Sequence, residues 1–343
     1  MTARAIDEAI PGPCSATSHG ERNRLMNMPT HAVAWPTLIP EEPIQEGPLA
    51  VYPLLRAGAP PAEPTYLLLE EALEAKLVEV TEIDQAGHVP TIALINNGVL
   101  PVLVVQGQEL VGAKQNRTLN VTILAAPGRT EIPVTCVERG RWGYNAARFD
   151  SGNFEHYRLR RMKAEMVNAS VKRNLSKKDR YSVDQMAVWE EVDLESARHD
   201  VSSATSALNE VYSSPRVAAK LRDFDKLKKL PEGTVGVAIA MGGELVAAEF
   251  LETPEAFAAL WPNMLKGYGL SSIYADEKAA PERTHAQMFL TLPSSAEASV
   301  DEPVGLGQDV RWEGPEFLAG ALAHEERLLH GTMFTRRPDK EAR

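Results

Sequence analysis

Cysteine pairs, long apolar runs and an excess of positive charge are all absent from this sequence, and each absence excludes a class of protein. Cys14 and Cys136 are too few for a disulfide framework and form no zinc-binding pattern. No run approaches the roughly eighteen apolar residues that suggest a membrane-spanning helix, and the first residues contain no apolar segment typical of a secretory signal. We therefore expect a cytoplasmic protein that does not act in a membrane.

Positive charge is scarce except in one segment. The 343 residues carry 36 Lys and Arg against 47 Asp and Glu, a net charge of −11, so nucleic acid is an unlikely partner. Residues 157–181, however, contain nine basic residues against two acidic ones. The segment is either a solvated helix and loop, or a surface that docks an acidic partner.

Period-two alternation dominates the first half of the chain. It predicts strands at residues 49–55, 65–69, 78–83, 90–97 and 99–105, with a short helix at 70–76. Asn96-Asn97-Gly98 predicts a tight hairpin between the last two strands. So many strands with little helix predict an antiparallel β-sandwich or a barrel-like domain.

A second hairpin is predicted within residues 117–137. Apolar residues alternate before and after the turn at residues 125–128, where Pro127 and Gly128 favour chain reversal. Symmetric pairing about that turn places Leu119 opposite Cys136 and Arg117 opposite Glu138.

The second half of the chain predicts helices mixed with strands. The expected helices are at 158–172, after a capping box at Ser182–Gln185, from Pro215, and from Pro254 to a stop at Gly269. The expected strands are a hairpin at 236–251 that turns at Gly242-Gly243, and a meander at 309–334.

Together these elements predict an α+β fold. An amino-terminal β-sandwich or barrel-like domain is followed by a helical segment and a small α+β domain. The predicted boundaries are a loose arm at 1–45, the β-rich domain at 46–144, a basic linker with helices at 145–232, the α+β domain at 233–335 and a tail at 336–343.

Polar residues cluster at the ends of apolar strands between residues 104 and 144, where a rigid scaffold would hold a site. The segment 107–114 superficially resembles a phosphate-binding P-loop, but Gln115 replaces the Ser or Thr and no helix follows. The candidate catalytic residues are Glu109 and Glu138. The candidate ligand-binding residues are Lys114, Gln115, Asn116, Arg117, Arg139, Arg141 and Trp142.

No metal or cofactor is predicted. His324 and His330 lack a third ligand nearby in the sequence. Gly305 and Gly307 lack the third glycine and the following helix of a dinucleotide-binding motif.

Several motifs together resemble a known family. They are the segments GQELVGAKQNR at 107–117, IPVTCVERGRW at 132–142, SVDQ at 182–185, LWP at 260–262 and GLG at 305–307. They resemble the ARG-and-rhodanese-phosphatase-superfamily-associated protein domain family, over residues from about 40 to about 335. The family often has an acidic residue around positions 106–108 and Gln at 139, where this chain has Gln106, Gln108 and Arg139.

The family is named for genomic neighbours that include ADP-ribosylglycohydrolases, so the resemblance implies a role in handling NAD-derived or ADP-ribosylated molecules. It implies no particular catalytic residues. Three hypotheses follow: binding of a phosphorylated nucleotide such as ADP-ribose, a hydrolase or transferase acting on such a ligand, and a non-catalytic scaffold. In the first, Arg and Lys side chains contact phosphate while Trp142 or Tyr144 stacks on the base.

Overall fold

The structure is a computed structural model that describes residues 33–58, 65–84, 87–173 and 179–336. The strands, in chain order, are β1 (Leu38–Pro40), β2 (Ile44–Glu46), β3 (Leu49–Arg56), β4 (Leu67–Leu68), β5 (Val78–Glu82), β6 (Thr91–Asn96), β7 (Val102–Val104), β8 (Gln108–Gly112), β9 (Arg117–Leu119), β10 (Ile123–Ala125), β11 (Gly128–Cys136), β12 (Phe149–Phe154), β13 (Gly236–Met241), β14 (Glu244–Leu251), β15 (Ser299–Asp301), β16 (Gln308–Glu313), β17 (Phe317–His324) and β18 (Arg327–Thr335).

The α-helices are α1 (Leu69–Glu74), α2 (Tyr157–Lys172), α3 (Gln185–Arg198), α4 (Leu208–Ser213), α5 (Pro215–Leu221), α6 (Pro254–Ser272) and α7 (Arg283–Leu290). Short 3₁₀ helices occupy Arg222–Lys228 and Leu292–Ser295. The predicted arm up to residue 32, Cys14, and the predicted tail beyond residue 336 lie outside the described residues.

A large antiparallel sheet combines strands from both ends of the chain. Its order is β1-β3-β13-β14-β18-β17-β16-β15, and β2 pairs with residues 49–51 of β3, beside the part that pairs with β1. The hairpin β13–β14 and the meander β16–β18 are confirmed. Strand β3, however, pairs with β13 and not with the strands of the predicted amino-terminal domain, and β1 lies within the predicted loose arm.

Both faces of this sheet are covered. Leu49 and Val51 of β3 join an apolar cluster with Phe257 and Trp261 of α6, whereas Tyr52 joins a cluster on the opposite face. Alternate residues of a strand point to opposite faces, so a strand buried on both sides reads as a continuous apolar run. This explains the unbroken apolar sequence of β3.

Six further strands close into a barrel in the order β11-β6-β5-β12-β8-β9. Apolar side chains from all around it, including Val80, Leu94, Leu110 and Ile132, form one buried cluster. The strand registers bring one end of each of four strands together at what we call the barrel end: Glu82, Gly112, Arg117 and Cys136. The fold is therefore α+β with mostly antiparallel sheets and a closed barrel.

The predicted pairing of residues 117–124 with 131–137 is wrong in register and in extent. Leu119 lies opposite Val134, and Arg117 lies opposite Cys136, a shift of two residues from the prediction. Residues 123–125 form β10 and pair with β7 in a separate three-stranded sheet. Strand β11 instead continues along β6, which closes the barrel.

The predicted hairpin at Asn96-Asn97-Gly98 is also wrong. Strand β6 pairs with β5 and β11, whereas β7 pairs with β10 and β4. The Asn96 side chain accepts from Gly98 N and donates to Leu100 O. These bonds turn the chain from β6 of the barrel into β7 of the three-stranded sheet.

The helices α2, α5 and α6 confirm their predictions, although α6 ends at Ser272 and not at Gly269. The predicted capping box is wrong, because Asp184 caps α3 by accepting from Met186 N and Ala187 N. Among the described residues, no helix has the length and apolar character needed to cross a membrane.

Candidate functional site

Arg117, the first residue of β9, is fully buried at the barrel end. It lies opposite Leu110 and Cys136, and so shares their face of the barrel wall. Its Nη1 donates to Gln115 Oε1 at 3.2 Å and to Asn116 O at 3.4 Å. Within the described part of the chain, Nε and Nη2 have no hydrogen-bond acceptor. Burial lowers the pKa of this guanidinium, with Cys136 and Glu82 partly opposing the shift.

Glu82 is the carboxylate nearest to that guanidinium. It is the third residue of the alternating set Val78, Val80 and Glu82, and its Oε1 lies 4.0 Å from Arg117 Nη2. Oε1 also accepts from Lys114 N at 3.3 Å, whereas Oε2 has no partner among the described residues. Glu82 is not among the residues predicted from the sequence. The signal that would have found it is a carboxylate at a strand position where the alternation favours an apolar residue.

Residues 113–116 connect β8 to β9 and cap the barrel end. Asn116 N donates to Glu138 Oε2 at 3.0 Å, and Gln115 Nε2 donates to Glu138 O at 2.8 Å. The Asn116 Oδ1 atom accepts from Gly112 N at 3.1 Å. Gln115 and Asn116 thus hold this connection against the segment that follows β11.

Glu138 pairs with Arg141. The Arg141 Nε and Nη2 atoms donate to the two carboxylate oxygens at 2.8 and 2.6 Å, a bidentate geometry. Nη1 donates to Ala113 O at 2.6 Å and Gly143 O at 3.0 Å. The predicted direct pairing of Arg117 with Glu138 is therefore wrong: Cys136 faces Arg117, and Glu138 faces Arg141.

The Glu138 carboxylate is held in its charged form. Burial alone would raise its pKa, but hydrogen bonds from Arg141, Asn116 and Thr205 outweigh burial and lower the pKa below its usual value. Thr205 Oγ1 donates at 3.0 Å and belongs to the segment before α4, so this carboxylate ties three parts of the chain together.

Lys114 joins the buried loop to exposed aromatic rings. Its Nζ lies 5.1 Å from the ring centroid of Trp142 and 5.3 Å from that of Tyr144, within cation–π range. Trp142 and Tyr144 are 51% and 52% exposed, whereas Lys114 is buried. About half of each aromatic side chain is thus exposed to solvent, next to the Lys114 ammonium group.

Glu109 does not join this group. It lies opposite Thr118 on β9, and therefore on the other face of the barrel wall from Arg117. Its Oε2 accepts from Asn153 N at 3.3 Å, and Oε1 has no partner among the described residues. Burial, reinforced by the charges of Glu155 and Glu138, raises its pKa to about 8.

Arg139 also points elsewhere. Its Nη1 lies 3.2 Å from Asp193 Oδ2 on α3, and both side chains are about half exposed. Its guanidinium lies 5.9 Å from the Trp189 ring. The structure therefore gathers Lys114, Gln115, Asn116, Arg117, Glu138, Arg141 and Trp142, and it places Glu109 and Arg139 apart from them.

A groove of about 550 Å³ opens beside the same end of the barrel. Its walls include Ile83 and His88, which adjoin Glu82 and Gly87, and Arg180 with Tyr181 from the segment before α3. Gly87 lies against the cap, because a Cβ there would stand 3.1 Å from Lys114 Cδ and 3.4 Å from Trp142 Cζ2. The groove volume falls within the usual range for small-molecule sites.

The basic residues of α2 face carboxylates of this chain. Arg160 pairs with Glu249 and Lys163 with Glu155, all four fully or almost fully buried. On the remaining surface of α2, Arg161 pairs with Glu165, and Lys172 pairs with Glu313. Residues 174–178 of the predicted partner-docking segment lie outside the described residues.

The two histidines considered for a metal site lie apart from the barrel end. His330 is buried between Glu249 Oε1, at 3.1 Å, and Thr122 Oγ1, at 2.8 Å. His324 lies at the end of β17, 3.9 Å from Glu325 Oε1.

The ARG and Rhodanese-Phosphatase-superfamily-associated Protein domain model matches residues 37–334, and the chain belongs to that family. No curated protein and no solved structure matches the chain significantly.

Proposed function

We propose that this family member binds a phosphorylated nucleotide-type small molecule, of the ADP-ribose or NAD-derived class, at the barrel end. The observation that carries the proposal is Arg117, a fully buried guanidinium whose Nε and Nη2 have no acceptor among the described residues. Buried donors without partners are costly, and guanidinium groups suit bidentate contact with phosphate. An anionic oxygen of the ligand would supply the missing acceptor.

The rest of the ligand would use the aromatic rings and the groove. Trp142 and Tyr144 are about half exposed and offer rings on which a base can stack, and the Nζ atom of Lys114, three residues before Arg117, lies within cation–π range of both rings. The groove supplies Arg180 and a His88 Nδ1 atom that is buried without a partner in the described ranges. Because Arg117 is fully buried and donates to Gln115 and Asn116 of the cap, the ligand would enter as this cap moves.

Binding is favoured over catalysis at this site because the two candidate catalytic carboxylates are badly placed for a reaction. Glu138 is saturated by Arg141, Asn116 and Thr205. Glu109 lies on the opposite face of the barrel wall from Arg117.

Calorimetry against ADP-ribose, NAD and AMP tests the proposal. We expect saturable heat for at least one ligand, and a weakening of about 5- to 150-fold for Trp142→Ala, the equivalent of about 1–3 kcal/mol of lost stacking. Tyr274→Ala is the matched control, because Tyr274 is 46% exposed and lies under Lys220 Nζ at 4.2 Å in a second cation–π pair.

The outcomes separate the hypotheses. No heat at millimolar concentration of any of the three ligands removes the proposal and leaves the scaffold hypothesis. Loss of binding in Arg180→Gln but not in Trp142→Ala would move the ligand wholly into the groove. Mass spectrometry of the recovered ligand would reveal turnover, and with it the hydrolase or transferase alternative.

A further inference from the structure

We propose that His156, Glu191 and Glu195 form a binding site for a first-row divalent transition-metal ion such as Zn²⁺, Co²⁺ or Mn²⁺. His156 immediately precedes α2, and the two glutamates lie on α3. One potential ligand atom from each residue lies within 4.8 Å of those of the other two. These residues are separate from the motifs of the barrel end and independent of the nucleotide proposal.

The state of His156 points to a missing ligand. Its side chain is fully buried, yet neither Nδ1 nor Nε2 has a hydrogen-bond partner among the described residues. Buried imidazoles normally satisfy at least one ring nitrogen. Here the ring faces two carboxylates that are neighbours on one helix face because they are four residues apart. A metal ion between them would use a nitrogen that is otherwise unsatisfied.

The residues around the carboxylates resemble the supporting groups of a metal site. His199, the residue that follows α3, lies with Nε2 3.0 Å from Glu195 Oε1 and fixes that carboxylate. Hydrogen bonds of this kind orient metal ligands in proteins. Glu191 is only partly buried, whereas His156 and Glu195 are fully buried.

A guanidinium now holds the two glutamates together. Arg198 Nη1 lies 3.1 Å from Glu191 Oε1 and 2.8 Å from Glu195 Oε2. Arg158 Nη1 lies 3.6 Å from Glu195 Oε2. The Arg198 side chain is 32% exposed and can turn into solvent. We therefore infer that Arg198 competes with the metal ion for these carboxylates.

The ligand types select the class of ion. One imidazole nitrogen and two carboxylates suit zinc, cobalt, manganese and iron, whereas calcium and magnesium prefer oxygen ligands alone. Three protein ligands leave at least one coordination position for water or for a substrate atom, as in catalytic and not in structural zinc sites.

Metal titration of the whole protein, without a histidine tag and after chelator treatment, tests the site. We expect one equivalent of Co²⁺ to bind with a visible absorption band, and Mg²⁺ not to compete. Glu191→Gln should weaken Co²⁺ binding at least tenfold, whereas Glu190→Gln, exposed at the neighbouring position, should leave it unchanged. Arg198→Ala should tighten binding, because it removes the competing cation.

A direct contact of His156 with Glu195, without a metal ion, is the competing explanation, and it predicts no metal binding. The proposal is overturned if neither the native protein nor Arg198→Ala binds Co²⁺ at 1 mM, which is about the weakest dissociation constant worth considering. Co²⁺ binding by Glu191→Gln with the affinity of the native protein also overturns it. Since His156→Ala could unfold the protein, imidazole coordination is checked in the native protein, where magnetic resonance of bound Cu²⁺ should show nitrogen coupling.

Discussion

Replacing Glu138 by Gln should destabilise the protein by about 3 kcal/mol, the lower end of the range for breaking a buried ion pair. The carboxylate accepts from Arg141 at 2.8 and 2.6 Å, and from Asn116 N and Thr205 Oγ1 at 3.0 Å each. The lower end applies because the Arg141 side chain is 16% exposed. A glutamine would turn an NH₂ group toward donors and leave Arg141 without its counter-ion.

Urea unfolding at pH 7, followed by tryptophan fluorescence, measures this loss. Arg139→Gln is the matched control, because the pair of Arg139 with Asp193 is about half exposed and should contribute no more than about 1 kcal/mol. A double-mutant cycle with Arg141→Gln should give a coupling of at least about 1 kcal/mol. The reasoning is refuted if Glu138→Gln costs no more than Arg139→Gln.

The same pair predicts a pH dependence. Because the folded pKa of Glu138 lies below its usual value, its contribution to stability is present at neutral pH and is lost as the pH falls below the ordinary carboxyl value of about 4.3. As the pH falls from about 5 to about 3, a range that brackets the ordinary carboxyl pKa, Glu138→Gln should therefore lose less stability than the native protein. Parallel losses in the two proteins would contradict the assignment.

Three further predictions concern buried groups. Burial raises the Glu109 pKa to about 8, so folding favours the protonated carboxyl. The native protein should therefore lose stability as the pH rises from the ordinary carboxyl pKa to about 8. Thermal unfolding at about pH 5 and about pH 8.5 should show a smaller loss of stability in Glu109→Gln than in the native protein. Burial raises the Cys136 thiol pKa, so iodoacetamide should label Cys136, read by peptide mass mapping, only after unfolding. Gly267→Ala should destabilise the protein in urea, because its Cβ would lie 2.4 Å from Glu155 O; unchanged stability would contradict this contact.

Local sequence patterns determined most element types. Alternation identified β5, short apolar runs identified β13 and β14, and Gly242-Gly243 turns the β13–β14 hairpin as predicted. Apolar residues at helical spacing identified α6, whose Thr253 cap and Pro254 start are both present. These features depend on residues close together in the chain, so the sequence carries them directly.

The chain also indicated where the polar cluster lies. Arg117 and Cys136 belong to neighbouring strands, and so the motifs that follow them meet at one end of the barrel. Lys114, Gln115, Asn116 and Arg141 are gathered there for the same reason.

Partners and faces were decided only by tertiary structure. In the closed barrel, β11 pairs with β6 as well as with β9. Its register against β9 differs by two residues from the predicted symmetric hairpin, and so Arg117 lies opposite Cys136 and not opposite Glu138. Pairing of β3 with β13 joins segments about 180 residues apart in sequence, a distance over which no local pattern acts. His156 likewise meets Glu191 only because α2 packs on α3. Periodicity gives each strand its buried face, but the choice of neighbour depends on which distant surfaces exclude water together.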